Sequence, residues 1–136
     1  MNQPDSRWQQ RFASYDKSMA QLTCFIACVD LSNLENLGLI HVFENTCELA
    51  WHLLKDYLTS RGVKNIRGPR DAINQAINVG LIEDNEKWIE MLKDNGMTLE
   101  TYIEEIASEL TANIRIRHYS LLASLKLRMD NIIAAQ

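Results

Sequence analysis

Carboxylate and imidazole side chains recur on one side of a long, otherwise apolar stretch between residues 34 and 61. Glu44, Glu48 and His52 follow each other at intervals of four, so in a helix they share one face. Side chains of these types at this spacing could bind a substrate or a partner, or hold a metal ion. The alternative is a solvated helix face on which Glu48 and His52 make a local contact. The spacing alone leaves both interpretations open.

An aromatic residue accompanies this polar face. Trp51 directly precedes His52, and Trp88 lies in a later amphipathic stretch. An indole ring can stack on a ligand, but aromatic rings more often pack in a core or an interface. We expect both tryptophans to pack, with Trp51 placed to contribute to binding beside Glu48 and His52.

The stretch that carries these residues has the apolar pattern of a helix surrounded by partners. Its seam has the spacing 3,4,3,4,3 and comprises Ile40, Phe43, Cys47, Ala50, Leu54 and Tyr57. Ser32 and Glu35 have the spacing of a capping box, and Gly62 suits a left-handed cap. These signals predict one helix from Leu34 to Arg61, whose polar strip faces water or a site.

The remaining apolar patterns predict helices on either side of this one. They are expected over Ser6–Cys28, over Pro69–Asn78, from a cap at Asp84 to about Asp94, and from a cap at Thr98 to about Asn131. Asn95-Gly96 indicates a turn. Arg117 interrupts the apolar stripe of the last helix, so it is expected to extend to the surface or to mark an interface.

The connections between these helices are short, which favours antiparallel neighbours. We therefore predict an all-α fold, an antiparallel up-and-down four-helix bundle whose third segment is broken into two short helices. The length of 136 residues favours a single domain over residues 1–136.

The charge of the chain argues against a protein that coats nucleic acid by electrostatics alone. Its formal net charge is −4 at pH 7, whereas such proteins are strongly basic. A local basic patch made of Arg115, Arg117 and His118 remains a weak candidate for contacting phosphate or an acidic subunit.

The cysteines and the chain start bear on the compartment. Cys24, Cys28 and Cys47 cannot all pair within the chain and lack the spacing of zinc ligands, so we interpret them as small core residues of a reducing compartment. The first residues do not resemble a secretory signal, and no apolar run approaches the roughly 18 residues of a membrane span. We expect a cytoplasmic protein without a metal or other cofactor.

Several motifs together resemble a known family. They are Arg7-Trp8-x-x-Arg11-Phe12, the stretch 43–51, Lys55-Asp56-Tyr57-Leu58 before Gly62, Pro69-Arg70-Asp71-Ala72-Ile73, Gly80-Leu81-Ile82-x-Asp84 and Trp88-x-x-Met91-Leu92. Their order and spacing resemble the nucleotidyltransferase substrate-binding proteins of the HEPN (higher eukaryote and prokaryote nucleotide-binding) superfamily. The resemblance implies a prokaryotic four-helix bundle that commonly dimerises and assembles with a separate minimal nucleotidyltransferase, in several cases as a toxin–antitoxin pair.

The chain departs from this family at the loop after Leu92. Where the family usually reads Arg-Asn-Leu-Thr-Ser-His-Thr-Tyr, the arginine is replaced by Asn95 and the histidine by Glu100, while Tyr102 is retained. In ribonuclease members the arginine steadies phosphate charge and the histidine moves protons. Asn95 carries no charge, and an ionised Glu100 would repel a phosphodiester. The resemblance therefore implies a chain that is not a competent ribonuclease of this kind.

The resemblance also bears on Tyr102 and on the acidic residues that follow it. In related toxin–antitoxin pairs the partner adenylylates the tyrosine at this place, so Tyr102 is a candidate for modification; otherwise its hydroxyl makes a local hydrogen bond. The negative run Glu100, Glu104, Glu105 and Glu109 suits the N-terminal end of a helix, and could also meet a basic surface of a nucleotidyltransferase.

The sequence contains no Gly-rich phosphate loop and no Gly-Ser plus paired-Asp signature, so nucleotidyl transfer is expected from a separate chain. We predict a non-catalytic substrate-binding or partner subunit of a two-component nucleotidyltransferase system. It would act as a homodimer and contact nucleotide or RNA. The predicted binding residues are Glu44, Glu48, Trp51, His52 and Tyr102. The alternatives are a HEPN-type ribonuclease toxin, disfavoured by Asn95 and Glu100, and a bundle with a purely structural role.

Overall fold

The computed structural model describes residues 6–97 and 104–136. The α-helices in order are α1 (Ser6–Ala27), α2 (Asn33–Ser60), α3 (Pro69–Asn78), α4 (Asn85–Gly96), α5 (Glu104–Asn113) and α6 (Tyr119–Ala134), with a π-helical segment, Ile114–His118, between the last two. These residues include no β-strand. The predicted all-α class is confirmed.

The ends of α2 follow the signals in its sequence. The Ser32 side chain accepts a hydrogen bond from the backbone N–H of Glu35 at 3.1 Å, and the Glu35 carboxylate accepts one from the N–H of Ser32 at 2.9 Å. This is the predicted capping box, which satisfies two backbone donors at once. At the other end Gly62 has φ +92°, and the N–H of Val63 turns back to the carbonyl of Leu58. Both predicted ends of the helix lie within one residue of those observed.

Helix α2 is central to the packing, because it contacts α1, α3, α4 and α5. Its predicted seam is buried, except that Tyr57 is half-buried and packs edge-on against Trp8 of α1. The facing residues of α1 are buried too, namely Trp8, Phe12, Tyr15, Met19 and Leu22. The 3,4 spacing of apolar residues along α2 therefore predicted which side of this helix is buried.

Hydrogen bonds inside the α1–α2 contact fix how the two helices lie against each other. The hydroxyl oxygens of Ser18 and Thr46 are 2.6 Å apart, both side chains being buried, and Asn45 donates to Ser18 at 3.2 Å. The buried Tyr15 hydroxyl donates to the carbonyl of Leu122 on α6 at 2.6 Å. Burial is the main cause of the raised pKa of Tyr15, so this phenol remains a donor. Buried polar groups that are hydrogen-bonded in this way favour one register of the packed helices over shifted registers.

The predicted course of the last helix is corrected by the π-helical segment. There the N–H of Tyr119 bonds to the carbonyl of Ile114, five residues back, which adds one residue to the turn. The buried side therefore passes from Ile114 to His118 and then to Leu122, while Arg117 turns outward. Arg117 is the residue that broke the apolar stripe. The predicted start of this helix at Thr98 lies outside the described residues.

Asp84 occupies the predicted N-cap position of α4, but the helix continues past its predicted end. Asp84 precedes the helix in a left-handed conformation with φ +66°, and its side chain makes no capping hydrogen bond. Asn95 and Gly96 do not form a separate turn, because α4 continues through them.

The cysteine interpretation is correct for one residue and wrong for two. Cys47 is buried, whereas Cys24 and Cys28 are exposed near the end of α1; all three are free thiols. The apolar positions of α1 are taken by its larger residues, which leaves these cysteines outside. In the described ranges, no helix combines the length and apolar character required to span a membrane.

Candidate functional site

Three of the predicted binding residues lie together on α2. The indole Nε1 of Trp51 donates to the carboxylate of Glu48 at 3.0 Å, and the ring stacks on His52 with centroids 3.9 Å apart and planes inclined by 28°. The Nε2 atom of His52 lies 3.9 Å from the same carboxylate oxygen of Glu48. Glu48 therefore holds the Trp51 ring directly, and His52 packs on that ring. We call Glu44, Glu48, Trp51 and His52 the α2 polar surface.

The protonation state of His52 decides the nature of its contact with Glu48. Its distance to the carboxylate would suit an ion pair, but its pKa is lowered, first by partial burial and then by the nearby guanidinium of Arg11. These effects outweigh the opposite influence of Glu48. At 3.9 Å the imidazole nitrogen and the carboxylate oxygen are too far apart for a hydrogen bond. His52 is thus mainly neutral at pH 7.

Charged groups from a second helix border the α2 polar surface. Arg11 of α1 donates from Nε to the carboxylate of Asp56, one turn beyond His52, at 3.0 Å. The Asp56 side chain is only 11% exposed, so this pair is better shielded from water than an ordinary surface ion pair. The site thereby presents carboxylates, a neutral imidazole, an indole edge and one guanidinium.

The first carboxylate of the surface lies beside the core. Glu44 is half-buried and is engaged in an interaction of its own. The pKa of neighbouring Cys47 is raised well above its ordinary value, mainly by burial and secondarily by the charges of Glu48, Glu44 and Asp94. A protonated, buried thiol is a poor nucleophile, so Cys47 acts as a packing residue. The predictions on Glu100 and Tyr102 fall outside the described residues.

Sequence reasoning missed a second polar cluster, around Asp94 and His118. The Nε2 atom of His118 is 2.6 Å from Asp94 Oδ2, and the Asn113 side-chain amide donates to the same oxygen at 3.2 Å. His118 is 1% exposed and stacks on Phe43 with centroids 5.6 Å apart. The interruption of the apolar stripe at Arg117 was the available signal. Asn95, one of the two substituted motif positions, directly follows Asp94 at the end of α4.

The basic patch considered from the sequence is not formed, because its three residues have different partners. Arg115 donates to the carbonyls of Phe25, Ile26 and Cys28 at the end of α1. Arg117 pairs with Glu90 on α4, and His118 is buried against Asp94.

Clefts lie away from the α2 polar surface. Two of about 400 and 390 Å³ adjoin each other along the last helix and share Asp84, Leu121 and Ser124. A third, of about 230 Å³, lies between the start of α2 and α5. The α2 polar surface lines none of these three clefts. In the described part of the chain, no three His, Cys, Asp or Glu residues are grouped so that they could hold a metal ion.

The fold and these surfaces define an all-α protein with a polar surface on its central helix. A family model described as "Nucleotidyltransferase substrate binding protein like" matches residues 10–131. The chain belongs to this family, as its motifs indicated. A search of curated proteins finds no significant match.

Proposed function

We propose that this chain is the non-catalytic substrate-binding subunit of a nucleotidyltransferase whose catalytic residues lie on a separate polypeptide. The observation that carries the proposal is the family match, which spans residues 10–131 and so includes the whole α2 polar surface. The substitution of Asn95 and Glu100 for the charged and proton-transferring residues of the ribonuclease members supports a binding role.

The wider assignment follows the same resemblance. We propose a single cytoplasmic domain that adopts an up-and-down four-helix arrangement of the HEPN type and works as a homodimer. The nucleotidyltransferase pair would be of the toxin–antitoxin kind, with Tyr102 as its modification site. The contacts of α2 with the helices around it agree with such a bundle.

The chemistry of the α2 polar surface supports a particular class of ligand. Glu44 and Glu48 repel phosphate groups, but they accept hydrogen bonds from amino and hydroxyl groups or pair with basic side chains. The Trp51 ring, held by Glu48, and the neutral His52 add flat surface next to these acceptors. This combination of groups suits the base or sugar of a nucleotide, or the acceptor molecule to which the nucleotide is transferred. The phosphates of a bound nucleotide would then face the catalytic chain.

The test begins with the tagged chain isolated from cells that naturally produce it. We expect a small nucleotidyltransferase to co-purify and to be identified by mass spectrometry. Nucleotide transfer by that enzyme is then measured with and without this chain, and we expect the chain to lower the KM for the acceptor. The proposal is wrong if the isolated chain transfers nucleotides by itself, or if no nucleotidyltransferase binds it.

Variants then locate the site. Glu48→Gln removes the charge and loosens the indole, and we expect about a tenfold rise in KM with little change in kcat. Glu48 is exposed, so folding is not at risk. Glu86→Gln, an exposed carboxylate in the first turn of α4, is the matched control and should leave KM unchanged. Equal effects of the two substitutions would exclude a specific role for the α2 polar surface.

A further inference from the structure

Large apolar side chains are exposed at one end of the molecule, around the connection between α1 and α2. Val29 is 90% exposed, Leu34 79% and Leu37 43%. They lie within nine residues of chain, and Leu34 and Leu37 are on adjacent turns of α2. Single exposed apolar residues are common, but a group of them indicates a contact surface.

A cleft adjoins these residues and extends the surface to a second helix. It has a volume of about 230 Å³ and is lined by Leu37 and Asn36 of α2 and by Ala107 and Ser108 of α5. Because alanine and serine have short side chains, they leave room for a side chain of a partner. Glu104 lines the cleft as well. We call Leu34, Leu37, Glu104, Ala107 and Ser108 the α2–α5 docking surface.

The charged residues in the chain segments that form this surface are carboxylates. From residue 18 to residue 54 the sequence has no lysine or arginine, and the same is true of residues 94–114. These ranges contain the exposed carboxylates Glu35, Glu104, Glu105 and Glu109. Among the ion pairs between described residues, none involves the last three. Nearby Arg115 is bound to the carbonyls at the end of α1.

We propose that the α2–α5 docking surface binds a basic amphipathic helix of the nucleotidyltransferase partner, which rests on the function proposed above. The partner helix would place apolar side chains, one turn apart, over Leu34 and Leu37, and Lys or Arg side chains opposite Glu104. Helix-in-groove recognition of this kind uses an apolar stripe for affinity and flanking charges for orientation.

Charge complementarity favours this occupant over two others. In a symmetric contact with a second copy of the chain, the same acidic residues would face each other, which is repulsive. A nucleic acid would bring phosphates to carboxylates, which is unfavourable for the same reason. By contrast, the clefts along the last helix carry both signs, including Lys87, Arg117 and Glu90, and so do not select a partner charge.

The first experiment compares hydrogen exchange of the chain alone and in complex with the nucleotidyltransferase that co-purifies with it. We expect slower exchange in peptides covering residues 33–40 and 104–112 on complex formation. Protection confined to residues 116–131 would overturn this inference and leave the proposed function intact. Failure of any nucleotidyltransferase to bind would instead overturn the proposed function.

Variants test the surface with a matched control. Leu34→Ser should weaken binding of the nucleotidyltransferase about tenfold, since a buried leucine contact is lost. Ile116→Ser is the control, because Ile116 is 76% exposed and lines a different cleft, together with Arg117. If Leu34→Ser and the unaltered chain bound the nucleotidyltransferase with equal affinity, the α2–α5 docking surface would be excluded as the binding site.

A designed peptide tests the same chemistry independently of the natural partner. The probe is a fluorescent helical peptide with leucines on one face and lysines elsewhere, and its control carries glutamates in place of the lysines. We expect only the lysine peptide to bind, more weakly at high salt because charges are screened. Binding should fall at least about threefold with Glu104→Lys and stay unchanged with Glu86→Lys. Binding of neither peptide, or equal loss with both variants, would overturn the inference.

Discussion

The Nε2 atom of His118 lies 2.6 Å from Oδ2 of Asp94, although the two residues are 24 positions apart in the chain. The contact joins α4 to the π-helical segment and buries an imidazole between that carboxylate and the Phe43 ring. The other ring nitrogen, Nδ1, is buried without a hydrogen-bond partner in the described structure. His118 and Asp94 therefore make a polar contact at a buried helix position that an apolar residue would ordinarily occupy.

Removing either member of this pair should destabilise the protein. We expect His118→Ala to lower the free energy of unfolding by about 2–4 kcal/mol, because it leaves a cavity and leaves the Asp94 carboxylate with only its weaker hydrogen bond from Asn113. Asp94→Ala should cost less, since Asp94 is 22% exposed. Urea denaturation of both variants and of the double variant measures their coupling. Additive losses would mean that the two side chains do not interact energetically.

Arg115 should contribute to stability through the end of α1. It donates to three carbonyls there, at distances from 2.8 to 3.3 Å. Such charged hydrogen bonds satisfy the unpaired carbonyls of a helix end and oppose its negative dipole. We expect Arg115→Ala to cost about 1–2 kcal/mol of unfolding free energy.

Its neighbour provides the control. Arg117 forms an exposed ion pair with Glu90, so Arg117→Ala should cost less than about 0.5 kcal/mol. Thermal or urea unfolding of the two variants measures the loss of unfolding free energy in each. An Arg117→Ala loss as large as that of Arg115→Ala would contradict the assigned role of Arg115.

The capping box of α2 should make stability depend on pH in the acidic range. Hydrogen bonds from the backbone and side chain of Ser32 lower the pKa of Glu35 below its ordinary value. The unfolded chain therefore binds a proton at Glu35 at a higher pH than the folded chain does. The stabilisation that Glu35 contributes is complete above its pKa in the unfolded chain. It is lost as the pH falls through the lowered, folded-state pKa. Unfolding measured between about pH 6 and pH 3 should show this loss.

Two substitutions separate the parts of this cap. Glu35→Gln keeps a hydrogen-bonding side chain but removes the titration, so the acid-dependent loss assigned to Glu35 should disappear. Ser32→Ala should lower stability by about 1 kcal/mol. If the pH profile of Glu35→Gln matched that of the unaltered protein, another carboxyl group would be responsible.

The purified protein should not cleave RNA. Asn95 supplies no positive charge for a phosphodiester, and Glu100 cannot replace a histidine that takes and gives protons near pH 7. Structured and single-stranded RNA incubated with the protein should remain intact. Cleavage that is abolished by Glu100→Ala would contradict this prediction and restore the ribonuclease interpretation.

The sequence by itself determined the all-α class, the ends of α2 and the buried seam of that helix. These features are local, because the capping box of Ser32 and Glu35, the left-handed Gly62 and the 3,4 spacing of apolar residues act within a few turns of chain. It also placed Glu48 and His52 on one face, since residues four apart are neighbours in any α-helix. The position of the Trp51 ring against Glu48 and His52 depends on side-chain torsion angles, which the spacing of residues does not specify.

The tertiary structure alone decided the partners of the residues between Ile114 and His118. A regular helix would have turned Arg117 inward, but one extra residue in the π-helical turn brings His118 to Asp94 and frees Arg115 to reach the end of α1. Those contacts join residues 24 to 90 positions apart. The free energy gained from contacts between residues so far apart in the chain depends on how the helices pack, and no local pattern of residues encodes that packing.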